Sequence, residues 1–176
     1  FEKDFPAGIE FYQIERLSET IDGSDVIIGG VSSFGVEWFA EKVLPLIPEN
    51  IPVLTVTKGL MDTSEGKLLT YPDVWRQKLE SMGKKLSLNA IGGPCTCYEL
   101  VVHDQTEVAF CGGDIKTLAY LKELMQTDYY HISITTDVMG IESAVALKNG
   151  YALGIALTIG LNQKIFGNDE LHFNSQ

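Results

Sequence analysis

The stretch "DVIIGGVSSFGVEWFAEKVLPLI", Asp25 to Ile47, decides the fold class. Its first seven residues, "DVIIGGV", form a short β-branched run without polar alternation, bounded by turn residues. Val36, Phe39, Ala40, Val43 and Leu44 then recur at helical spacing. A strand buried on both faces, followed at once by an amphipathic helix, is the unit of a parallel sheet covered by helices.

The same unit recurs outward along the chain. "IPVLTVTKGL" carries a second buried-type strand around Val53 to Thr57, and "YPDVWRQKLESMG" a helix that stops at Gly83. "KLSLNAIGGP" supplies a third strand near Leu86 to Ile91, with Gly92-Gly93-Pro94 as a sharp turn whose proline reads as the start of a helix in "CTCYELV". "TEVAFCGG" is a fourth strand, "DIKTLAYLKELMQ" an Asp-capped helix, and "YYHISITTD" a fifth strand. The residues up to Asp22-Gly23-Ser24 have no clear period, and neither internal repeats nor low-complexity segments occur. From Asp137 the pattern becomes one long helix, Val138 to about Phe166, rich in Ala, Gly and Leu. The expected architecture is α/β, a mainly parallel sheet over residues 1–136 followed by helical structure over residues 137–176.

Composition limits the function. The chain has 176 residues, 45% of them hydrophobic, enough for a real core. A net charge of −11 argues against nucleic acid or an anionic membrane as partner, since both require a positive surface. Arg16 and Arg76 are the only arginines, sparse for gripping a phosphate. Cys95, Cys97 and Cys111 are an odd set in a chain with no secretory leader; they suit buried thiols in the cytoplasm, and with His103, His131 and His172 they match no zinc spacing, so no metal is expected. Lys148 and Asn149 interrupt the longest apolar run, so no membrane span is expected.

Lys148 is the residue that needs a reason. Ile141, Val145, Lys148, Ala152, Ile155 and Ile159 fall on one side of the long helix, which places an ammonium within the stripe expected to face a core. Either its stem packs while the charge reaches solvent, or it is a general acid or base tuned by desolvation. Asn149 lies about 100° round the helix, able to line the same cleft. Lys58 follows the end of a central strand, where open parallel sheets bind ligands, and reads either so or as a plain loop lysine. "GVSSF", Gly30 to Phe34, and "GGPCTC" occupy equivalent strand ends, and Ser32 and Ser33 suit an anion or simple helix caps. No G-x-G-x-x-G occurs, because Gly29, Gly30 and Gly35 have the wrong spacing.

Taken in order, "DVIIGGVSSF", "TVTKGL", "IGGPCTCYEL" and "TTDVMGIESAVALKNGYALGIALTIGL" closely resemble NAD-dependent glycerol-3-phosphate dehydrogenase, from about Asp25 to Gly167. The matching elements are Lys58-Gly59, Gly93-Pro94-Cys95 with Glu99, and Ile141-Glu142 through Ala146-Leu147-Lys148-Asn149. The resemblance implies a Rossmann-type domain and the first helix of an all-helical substrate domain. It also implies NAD or NADP as cofactor, a small phosphate substrate, a place in glycerophospholipid metabolism and a homodimer. By the same likeness Lys148 is the general base, Lys58 binds and polarises the reacting oxygen and contacts the cofactor, and Asn149 holds substrate. Phe34 matches a cofactor-contacting aromatic and Cys97 a small residue beside the nicotinamide. The family's first strand, its glycine-rich turn and its later phosphate-binding Arg-Asn have no counterpart, and "GVSSF" lacks a usual proline. The sequence therefore reads as a middle section, expected to be inactive by itself. Two other readings remain, a 6-phosphogluconate or ketopantoate type of dehydrogenase and a non-catalytic Rossmann-type binding module. The adjacency of Lys148 and Asn149 argues against the first, and the retained lysines against the second.

Overall fold

The computed structural model describes residues 4–167. The end of the expected helical region, residues 168–176, lies outside them. A short helix α1 (Leu17–Ile21) precedes β1 (Ile27–Gly29), and a 3-10 turn (Ser33–Gly35) leads into α2 (Val36–Lys42). Then come β2 (Val53–Thr55), β3 (Leu60–Asp62), β4 (Leu68–Thr70) and α3 (Tyr71–Ser81). β5 (Leu88–Gly92), α4 (Cys97–Val102), β6 (Thr106–Gly112), α5 (Ile115–Met125), β7 (Tyr130–Thr135) and α6 (Val138–Phe166) complete the order.

The five strands expected from apolar runs form one sheet in the order β1-β2-β5-β6-β7. Val53 and Leu54, consecutive on β2, face opposite ways. Val53 joins Val36, Phe39, Trp75 and Leu79 beneath α2 and α3, while Leu54 joins Val108, Phe110, Leu118 and Leu121 beneath α5. A strand covered on both faces cannot alternate polar with apolar, which is why these runs were continuous.

The sheet is mostly parallel, with one reversal: β1, β2 and β5 run together, β6 and β7 run together, and β5 pairs with β6 antiparallel. The connection explains it. Parallel return requires a crossover helix that traverses the strand, and the six residues of α4 span about 9 Å against about 17 Å for β5. Two further differences from the sequence reading appear. Pro94 does not open α4, which is instead capped by Thr96 in a reciprocal box with Glu99. A two-stranded hairpin, β3 with β4, lies between β2 and α3.

The long helix has its expected bounds but not its expected surroundings. Ile141 and Val145 are half-buried, whereas Lys148, Ala152 and Ile155 are exposed, as is every residue from Leu147 to Thr158. A helix of 29 residues reaches about 44 Å, far beyond the strands on which it starts, so most of its apolar stripe has no sheet to cover. The expectation that Lys148 and Asn149 break the apolar run is also corrected. Among the described residues Val138–Ile165 is long and apolar enough by length and composition to cross a membrane, because Glu142, Lys148 and Lys164 do not offset so many Ala, Gly, Leu and Ile residues.

Candidate active site

Because β1, β2 and β5 are parallel neighbours, their carboxyl ends emerge along one edge, the place where open α/β sheets bind ligands. Each end is shaped by local chemistry. After β1 the chain extends through Ser32, whose side chain makes no capping hydrogen bond, and Phe34 in the 3-10 turn is 97% exposed. After β2 the buried Thr57 hydroxyl donates to the Val31 carbonyl at 2.6 Å, tying this end to the first. Gly59 has φ +142, and a Cβ there would lie 2.6 Å from the Tyr71 hydroxyl, so the position is closed to other residues. Lys58 is thus pinned by its neighbours while its own side chain is exposed. After β5, Gly93 at φ +143 lies against Val108, and the turn delivers exposed Cys97 as the first residue of α4.

The head of α6 is fixed on that third strand end. The Asp137 carboxylate accepts the Gly140 N–H at 2.8 Å and caps the helix, and one turn on, Ile141 and Val145 rest on Gly92, where any Cβ would run into Ile141. The next turn brings Lys148 to the wall of a cleft of about 460 Å³ formed with Gly92, Gly93, Pro94, Glu107 and Ser133. Lys148 and the "GGP" turn are therefore brought together. Phe34, Lys58 and Cys97 share the same sheet edge without lining this cleft, and Asn149, expected to line it from the side, is exposed and does not. Lys148 itself is exposed where the stripe led one to expect partial burial. Here α6 is passing beyond the end of β5.

Glu142 is the residue that sequence reading passed over. It is fully buried, and neither carboxylate oxygen has a hydrogen-bond partner among the described residues. Burial, reinforced by Asp73 and opposed by Lys58, pushes its carboxyl up from the usual range to about 7. Burial, with the Glu142 charge adding to it, raises the Cys111 thiol to about 12. The sequence offered its place in the motif that runs from Ile141 to Asn149 and a carboxylate inside a mainly apolar helix, neither of which gave it a role. Its consequence is measurable. The folded protein binds this proton more tightly than the unfolded chain, so the associated stability is present below pH 4.5 and is lost as pH rises through about 7. Comparing urea unfolding at pH 5 and pH 8, wild type should lose about 3 kcal/mol relative to Glu142→Gln, which has no carboxyl to ionise. Equal pH slopes in the two proteins would refute it.

Comparison with known proteins gives the family. Residues 2–117 match the model for the NAD-dependent glycerol-3-phosphate dehydrogenase N-terminus. The chain belongs to that family. It is 32% identical over 158 residues to the NADP(+)-dependent glycerol-3-phosphate dehydrogenase of Archaeoglobus fulgidus, covering 89% of this chain and 46% of that protein. It is 28% identical over 145 residues to the glycerol-3-phosphate dehydrogenase [NAD(P)+] of Streptococcus gordonii, covering 82% and 42%. The chain thus spans less than half the length of these curated relatives of the glycerol-3-phosphate dehydrogenase family. Its fold matches the Plasmodium falciparum glycerol-3-phosphate dehydrogenase structure with a TM-score of 0.71 at 19% identity, over 83% of this chain and 40% of that one.

Proposed function

We propose that the full-length protein interconverts sn-glycerol 3-phosphate and dihydroxyacetone phosphate with NAD or NADP. The observation that carries this reading is the place of Lys148, an ammonium at the wall of a strand-end cleft in a chain of this family. Residues 1–136 belong to the dinucleotide-binding unit and residues 137–176 open a helical substrate unit. Both coenzymes are retained because the relatives are named for NADP(+) and for NAD(P)+. By family likeness the reading extends to a cytoplasmic homodimer that serves glycerophospholipid metabolism.

The residues at the sheet edge suit a dinucleotide. Phe34 offers an almost wholly exposed ring, Lys58 a cation and Cys97 a small side chain at the ends of three adjacent parallel strands. When bound, the nicotinamide supplies the hydride acceptor. In the oxidation direction Lys148 acts as the free amine, its Nζ taking the proton of the secondary hydroxyl, and in reduction the resulting ammonium returns that proton to the forming alcohol. Lys58 holds the same oxygen and stabilises the negative charge that develops on it. For Asn149, which lies outside the cleft, a substrate-orienting role rests on family likeness alone.

The test is dihydroxyacetone phosphate-dependent oxidation of NADH and of NADPH by the full-length protein. Turnover with at least one coenzyme is expected, and Lys58→Ala should raise KM and lower kcat, each by about tenfold or more, as befits a group that both binds and polarises. Absence of turnover with both coenzymes would overturn the assignment.

A further inference from the structure

We propose that Glu142 is a positioning residue for Lys58, its internal counter-ion, which draws the exposed ammonium at the end of β2 inward and holds it toward the head of α6. The functional consequence rests on the role given to Lys58 above; the pairing itself does not.

A carboxyl group with no exposed surface and two unpartnered oxygens is costly unless it keeps its proton or finds a cation. The elements packed on the head of α6 are β3, β4, β5 and β6, with α3 following directly from β4. Asp62 on β3 and Glu107 on β6, the latter accepting the Ser133 hydroxyl at 2.7 Å, are acids that offer no positive charge. Asp73 on α3 carries the same charge and is already engaged by Arg76 and by the Thr70 hydroxyl. The Cys111 thiol on β6 donates to the Ala90 carbonyl at 3.6 Å. The Tyr71 phenol lies against Gly59. Lys58 remains. It makes no ion pair among the described residues, it immediately precedes the hairpin strand β3 on which α6 packs, and its field already favours the ionised form of Glu142. The backbone on either side of it is fixed by the buried Thr57 and by Gly59, so the only freedom left is the flexible side chain. Swinging inward, that side chain would satisfy the carboxylate and exchange a mobile surface cation for one with a defined position at the strand end.

The experiment is an NMR titration of the protein carrying isotope-labelled glutamate, with the Glu142 carboxyl resonance assigned by its disappearance in Glu142→Gln. Lys58→Gln should move the Glu142 midpoint up by about one pH unit, since an opposing charge has been removed. Lys67→Gln, in the turn of the same hairpin, should leave it in place. An unmoved midpoint in Lys58→Gln, or equal shifts in the two variants, would overturn the pairing. Neither readout depends on turnover, so a protein that fails the dehydrogenase assay but shows the Lys58-specific shift sinks the functional reading alone. Turnover without that shift sinks the pairing alone.

Discussion

Lys148→Ala in the full-length protein is expected to lower kcat by at least ~10²-fold, with a smaller change in coenzyme affinity. A group that accepts the transferred proton contributes mainly in the transition state, so its loss appears in the chemical step more than in binding. Lys148→Arg should not restore the rate. The guanidinium fits a cleft wall as well as an ammonium does and keeps the charge, but it stays protonated at any working pH and cannot accept the hydroxyl proton. A pH series of kcat for wild type and both variants, measured in the direction of glycerol 3-phosphate oxidation, separates the two contributions. Near wild-type kcat in Lys148→Ala, or an arginine profile superimposable on wild type, would leave Lys148 as a surface charge only.

Trp75→Ala should destabilise the fold by about 3–5 kcal/mol, read as a lowered urea midpoint. The side chain is fully buried, stacks on Phe39 with ring centroids 4.8 Å apart, and donates its indole N–H to the Val36 carbonyl at 3.0 Å, joining α3 to the start of α2. The same ring lies over β1, where a Cβ on Gly29 would come within 3.1 Å of it. Removing it opens a void between two helices and the sheet that none of them can close by itself. Trp75→Phe, which keeps an aromatic ring and loses the donor, should fall between. A loss below about 1 kcal/mol in the alanine variant would mean that this side of the sheet contributes little to cooperativity.

What the sequence made legible follows from what each pattern encodes. Continuous apolar runs such as "VLTVT" mark strands covered on both faces, and all five reappear in one sheet. Such runs carry no direction, so the reversal between β5 and β6 was invisible until the brevity of α4 could be set against the strand. The hairpin escaped because its strands have three residues each, too few to establish a period, and because Thr70 serves as the cap of α3 as well as the end of β4. Helical spacing told which residues share a side of α6. It could not tell whether anything lies opposite, and from Leu147 to Thr158 that side is exposed. Lys148 lines a cleft, while Asn149, one residue further round, does not. Glu142 was hidden by its chemistry, since a single carboxylate in a helix ordinarily means a solvated face.

The contact of Ile141 and Val145 with Gly92 makes α6 a lever with very unequal arms. Lys148 lies three residues beyond Val145, about 5 Å along the axis, whereas Ile165 lies about 30 Å along it. A tilt of about 10° around that fulcrum carries the far end some ~5 Å and the lysine only ~1 Å. Displacements imposed on the far end of the helix are therefore geared down roughly sixfold before they reach the cleft. An error of about 1 Å is still large for a group that must meet a proton in line, so the glycine at position 92 acts as a bearing: by admitting no Cβ it lets the helix seat closely and keeps the short arm short.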